Sequence, residues 1–472
     1  MTMNRTMHVS SVFEKNGFTF YQYLVCSICF LVTFLDGFDL TVIGVALPKL
    51  AEHLASEPKA LGLALSAGQF GPLVGAIVLG MLADRWGRKW MLFISAVSFG
   101  LFTFLTVYVT TPEELAACRF LAGIGLGGAV PNALTLGSEY APKRFRAMIV
   151  ASMYAGMPAG AMMGGLLAAY LIPHFGWQSL FYFGGVAPLF IAAIVAVLLP
   201  ESLEFLVRRG RAGDTRRVKN IASKIQPELA DIDNVAFVVE DTMKSDGAVK
   251  RLFTEGRGVT TLLLWLICSS ALYMLWILIT WAPTLLRNSG ATVQQYSLAY
   301  ACISLGAFVS SIFIGRLLDK RNPFKVLQVG FILGAISLVA FGAGASSSFL
   351  VIAILSVICG MCINGSQAGT LAVATLSYPS DIRATGIGWT YAIAKVGAML
   401  APLTGGYMLS RNWSVSELCN ANAITGIFIA GALMLLQKRV QAARNAETIE
   451  DVNAAEAVVG TDITNRYSVI QD

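Results

Sequence analysis

Five ionisable residues stand where charge is costly: Asp36, Asp39, Arg119, Glu139 and Lys395 interrupt or end long apolar runs. A charged group inside a lipid-spanning segment costs on the order of 2.5–3.5 kcal/mol on insertion scales. Groups kept at that cost are candidates for binding an ion, carrying a proton or holding a conformation. Asp36 and Asp39 are three apart, so on a helix they share a face. Their hold on a proton is then set by burial, by each other and by a nearby cation. The three histidines, His8, His53 and His174, all lie outside the apolar runs, which leaves the aspartates as proton carriers. Cys26/Cys29 and Cys359/Cys362 have the spacing of a metal or redox motif, but no histidine is near either pair. They read as small buried thiols. No metal and no cofactor is implied.

Those charges need long apolar elements around them, and the composition provides for that. Only 13% of the 472 residues are charged, about half the share of a soluble domain. Hydrophobic residues make up 56%, and the mean hydropathy is +0.67. Too few charges exist to clothe a soluble enzyme. The net charge of +6 is not gathered into a basic tract with interleaved aromatics, so nucleic acid is not the partner. The bilayer is.

Twelve stretches are long and apolar enough to span it: 21–47, 62–83, 91–111, 114–138, 148–172, 178–199, 259–286, 295–318, 326–345, 349–376, 384–408 and 417–437. The first is too long for a cleavable signal peptide and contains two aspartates. Of the 34 Lys and Arg, 28 fall in the termini and alternate loops on one side, four on the other and two within spans. The positive-inside rule therefore predicts a multi-pass protein with both termini in the cytoplasm. The chain divides into 1–199 with six spans, a polar cytoplasmic linker over 200–258, 259–437 with six spans, and a tail over 438–472. The linker reads as solvated with amphipathic pieces, the tail as a short helix followed by disorder.

Depth follows from the helical rise of 1.5 Å per residue. Asp36 comes about 22 Å from the cytoplasmic side and Arg119 about 6 Å from the other, both in the outer half. An Asp36/Asp39–Arg119 cluster is expected. Lys395, about 17 Å in, is close to the midplane and suited to pairing with an anion.

The two halves repeat. Gly80-Met-Leu-Ala-Asp84-Arg85 aligns with Gly315-Arg-Leu-Leu-Asp319-Lys320 at an offset of 235. At 237, Gly123 meets Gly360, Arg146-Ala147 meets Arg383-Ala384, and Tyr154 meets Tyr391. An all-α fold of two pseudo-symmetric six-helix bundles follows, with a site at their interface near the midplane.

At these residues the chain resembles the major facilitator superfamily. Its hallmark loop stands here as Gly80-x-x-Ala-Asp84-Arg85-x-Gly87-Arg88-Lys89. More narrowly, the chain is similar to the aromatic acid:proton symporters, of which 4-hydroxybenzoate and benzoate carriers are members. Asp36-Gly-Phe-Asp39, Arg119-Phe-Leu-Ala-Gly-Ile-Gly running to Ser138-Glu139-Tyr140, and Arg383-Ala-Thr-Gly-Ile-Gly-Trp389 carry that likeness; Pro200-Glu201-Ser202 is shared more widely. Lys395 departs from the family's usual arginine, which keeps the charge but loses the two-pronged grip on a carboxylate.

The resemblance implies proton-coupled uptake of a small aromatic or related carboxylate across the inner membrane by a monomer, and no enzyme activity. Asp36, Asp39 and Arg119 would couple the proton. Lys395 would take the carboxylate, with Tyr154, Trp276, Trp389 and Tyr391 as apolar walls and Asn132, Asn364 and Gln367 as hydrogen-bonding partners. Gly80, Asp84, Arg85, Arg88, Glu139, Arg144 and Asp319 would form a cytoplasmic gate. There Gly80 would allow close helix contact, and Glu139 would pair with Lys143, Arg144 or Arg146. Two rivals remain: an efflux antiporter, suggested by the Gly156-x-Pro158-x-Gly160 run, and a ligand sensor built on the same fold.

Overall fold

In the computed structural model, residues 5–14, 18–211, 213–229, 235–238, 248–254, 256–379 and 382–468 are described. Among these described residues, twelve helices are long and apolar enough to cross a membrane. The first six spans are α1 (Phe20–His53), α2 (Pro58–Trp86), α3 (Arg88–Leu105), α4 (Pro112–Tyr140), the pair α5 (Arg146–Tyr154) and α6 (Gly156–Phe175), and α7 (Gln178–Leu198). The last six are α11 (Gly258–Asn288), α12 (Val293–Lys320), α13 (Pro323–Gly344), α14 (Phe349–Ser377), α15 (Arg383–Ser410) and α16 (Val415–Ser468). Between them lie α8 (Leu203–Arg209), α9 (Asp214–Ile225) and α10 (Ala248–Arg251).

Local signals set the ends of these helices. Thr19 caps α1 and Thr292 caps α12, each in a capping box with the glutamine three residues on. Proline opens α2, α4 and α13, where its missing N–H is not needed. The fifth span breaks at Ala155 because Pro158 has no N–H for the Tyr154 carbonyl. Thr33 Oγ1 donates to the neighbouring Met153 carbonyl at 2.6 Å and ties the break to α1. Close crossing needs small residues: Gly37 lies against the Met157 carbonyl and Gly160 against that of Phe34, with no room for a Cβ at either.

Each set of six packs as a bundle, α2 on α4 and α3 on α7 in the first, α11 on α15 and α12 on α14 in the second. The bundles meet through α2 with α15 and α6 with α12. Their detailed contacts fall in the half away from the 200–258 linker. Gly62 packs on Pro402 and Gly406, Gly165 on Ser297 and Ala301, and Ser66 Oγ donates to the Met399 carbonyl at 2.8 Å. Toward the linker end they part, and a side-chain carbon added at Gly80, Gly315 or Gly388 would meet open space. The close contact expected of Gly80 is therefore absent in this conformation.

Outside the spans the structure departs from the sequence-based expectation in three respects. The linker does not simply float: α9 buries Val218, Ala222 and Ile225 against Val9, Val12 and Phe13 of the amino-terminal segment. A strand β1 (Arg5–His8) pairs in parallel with β2 (Val235–Val238), which nothing in an all-α pattern announces. Linker residues 212, 230–234, 239–247 and 255 lie outside the described residues. The tail is helical through Ser468 as a continuation of the last span, where disorder is expected from composition.

Candidate functional site

The α1 aspartates point to different neighbours. Asp39 faces α3 and α4: Arg119 Nη1 donates to both its carboxylate oxygens at 3.4 Å, and Thr103 Oγ1 donates to Oδ1 at 2.7 Å. Arg119 Nη2 also donates to Thr103 and Thr106 Oγ1, at 3.1 and 2.9 Å. The guanidinium sits 5.8 Å from the Phe181 ring centre. Asp36 does not join this pair, contrary to the expected three-member cluster. Three residues along a helix leave the two side chains about 60° apart on the shared face, enough to give the two carboxylates separate surroundings. Thr103 and Thr106 carry no distinguishing signal in the sequence, because the same span also holds Ser95 and Ser98 at the same spacing.

Asp36 instead looks across the bundle interface. It is buried, accepts no protein hydrogen bond among the described residues, and lies in electrostatic reach of Lys395. Lys395 Nζ stands 5.3 Å from the Tyr391 ring centre. Tyr154, at the α5–α6 break, is in reach of both Tyr391 and Asp36. Two residues of each bundle thus converge, one acidic, one basic and two aromatic. Asn132 is buried, and its Nδ2 donates to the Gly128 carbonyl of its own helix at 2.8 Å. Asn364 and Gln367 are half-buried on α14, and their amides have no protein partner among the described residues.

The tryptophans lie elsewhere. Trp389 stacks on Trp265 at 6.4 Å between ring centres. Two residues turn a helix by about 200°, so Trp389 points almost opposite to Tyr391. Trp276 is wedged in the α11–α15 seam against Leu272, Ala394 and Ala398. Helix membership suggested both, but the side each presents decides.

At the linker end Glu139 pairs with Arg88, not with Lys143, Arg144 or Arg146. Those three follow the end of α4, where Lys143 reaches Glu14 and Arg144 lies over Phe145. Ser202 Oγ donates to Glu139 at 2.5 Å. Glu201 accepts from the backbone N–H groups of Lys89 and Ser202 at 3.1 and 3.0 Å. Burial pushes its carboxyl above the usual range, and these N–H groups pull it back. Gly87 adopts φ +100° with the Glu201 carboxylate packed against it, so a side chain there meets both strain and collision. Asp84, Arg85 and Asp319 are exposed and without ion pairs among the described residues. Asp84 and Arg85 line an open crevice with Val78, Met81 and Leu82.

Twelve spans in two bundles, each with the same loop motif, narrow the fold, and one comparison decides the family. The profile of the Major Facilitator Superfamily matches residues 29–287 and 262–466. The chain belongs to the major facilitator superfamily. Within that superfamily it is 35% identical to the 4-hydroxybenzoate transporter PcaK of Pseudomonas putida, over 89% of this chain and 93% of that one. It is 36% identical to a gallate transporter of the same species, over 83% and 86%. Among solved superfamily structures, the crystal structure of a D-xylose-proton symporter superposes with a TM-score of 0.68 at 16% identity, covering 88% of this chain and 97% of the other. That likeness shows the shared major facilitator fold. The hallmark loop of the superfamily thus appears here as Gly87 fitted to Glu201, with Arg88 fitted to Glu139. Glu201 and Ser202 complete it from the far side of the sixth span, a part the Pro-Glu-Ser motif could have suggested.

Proposed function

We propose that this transporter takes up a small aromatic carboxylate together with a proton, by alternating access across the inner membrane, with both termini in the cytoplasm. The observation that carries this function is the meeting of Asp36 and Tyr154 from the first bundle with Tyr391 and Lys395 from the second. An ammonium and two aromatic rings suit a flat ring bearing a carboxylate. The names of the relatives, carriers of 4-hydroxybenzoate and gallate, support the same class.

Asp36 is the proton site in this scheme. Ionised, it competes with the substrate carboxylate for Lys395; protonated, it leaves the ammonium free. Each monoanion then binds with one proton, so transport moves no net charge and only the pH gradient drives it. Asp39 and Arg119, already bonded to each other and to two threonines, support the helix that carries Asp36. With the linker end facing the cytoplasm, the conformation described is open to the inside. Closing that end would bring Gly80, Asp84 and Arg85 toward the opposite bundle, so the gate role is assigned to the other state.

The test is uptake of radiolabelled 4-hydroxybenzoate into proteoliposomes. Accumulation should follow an inward pH gradient, persist when the membrane potential is clamped at zero, and stop when the gradient is collapsed. Accumulation indifferent to pH, or net export from right-side-out vesicles, would remove the symport scheme.

A further inference from the structure

The closed end of the molecule carries a contact that the substrate and proton chemistry leaves unused. Arg287, in the last turn of α11, reaches across the bundle interface to the last turns of α1. One guanidinium nitrogen pairs with Glu52 Oε1, and the other donates to the Pro48 carbonyl at 2.7 Å. The second Glu52 oxygen is held by Lys49 on its own helix at 3.0 Å. Among the described ion pairs this is the one that joins the first bundle to the second. Its surroundings favour the cation, because the carboxyl end of α1 is the negative end of that helix dipole. Gly44 just below lets α1 approach α11 closely enough for the reach, with the Ile279 carbonyl 3.1 Å from where a Cβ would stand.

We infer that Arg287, gripping Glu52 and the Pro48 carbonyl, is the latch of the end opposite the linker, and that it sets how often that end opens. Opening by rocking of the bundles separates α1 from α11 there, so both contacts must break in every cycle. The pair is partly exposed, 35% at Arg287 and 44% at Glu52, which makes it strong enough to bias the two states and weak enough to release. Bistable elements with a small gap respond to such a bias by a shift in population. Nothing in the latch depends on which solute is carried.

Nitroxide amino acids at the exposed positions Lys59 and Asn288, in the full-length protein in nanodiscs without substrate, report the width of this end by electron–electron resonance. The wild type should give mainly the short distance. Glu52→Gln and Arg287→Gln should each raise the long-distance fraction by about two- to fivefold, the range expected when a partly exposed ion pair is lost. Lys49→Gln, which leaves the cross-bundle pair intact, should not raise it. Wild-type distances in both single variants would overturn the latch. Because the readout is a distance in substrate-free protein, it stands or falls separately from the uptake assay.

Discussion

Arg119 and Asp39 form a buried ion pair within the first bundle, with Nη1 equidistant from the two carboxylate oxygens at 3.4 Å and Nη2 donating to two threonines. Removing one partner of a buried pair leaves an uncompensated charge, at about 3–5 kcal/mol. Asp39→Asn should therefore lower the thermal unfolding temperature clearly. Combining it with Arg119→Gln should recover part of the loss. Additive losses in the double variant would show that the two residues do not act as a pair.

Lys395 should hold the substrate anion by a charge-assisted hydrogen bond, an interaction of about 1.5–3 kcal/mol. Lys395→Ala is expected to weaken 4-hydroxybenzoate binding by about ten- to a hundredfold in calorimetry. Lys395→Arg should keep most of the affinity. Unchanged affinity in the alanine variant would put the carboxylate elsewhere.

Asp36→Asn should separate exchange from driven uptake. With a permanently neutral side chain, Lys395 stays free, so substrate counterflow should continue while accumulation against a gradient disappears. Uphill uptake by this variant would transfer the proton to another group.

Two carboxylates of the linker end should show opposite pH responses. Burial raises Glu201, so the folded state holds its proton more tightly than the unfolded chain, and that contribution is lost as pH rises from about 4.5. Glu201→Gln should then gain on the wild type in unfolding temperature as pH increases. Asp214 is held low by Arg209, which donates to it at 2.8 and 2.6 Å. Its contribution is present above about pH 4 and lost below it, so Asp214→Asn should match the wild type in acid and fall behind at neutral pH. Unfolding temperatures of the three proteins across pH 3–8 check both signs.

Spans, their number and the presence of charge inside them were legible because each depends on neighbours along the chain. A run of about 20 apolar residues is a span wherever it occurs, and Thr19, Pro158 and Pro112 act on their own helices. Arg119 and Asp39 could be brought together from depth alone, since two ionic groups in lipid seek each other. The β1–β2 pairing was not legible: four-residue segments from the amino terminus and the linker meet only because α9 docks beside them.

Taken alone, then, the sequence determined a twelve-span, two-bundle membrane protein and the few charges on which its chemistry must rest. Only the tertiary structure decided which partners those charges have. It sent Asp39 to Arg119 and Asp36 toward Lys395, gave Glu139 to Arg88, turned Trp389 away from Tyr391, and joined Arg287 to Glu52. The reason is rotational. Rise along a helix fixes depth from residue count, but the direction of a side chain toward one neighbour or another is set by how the helices pack.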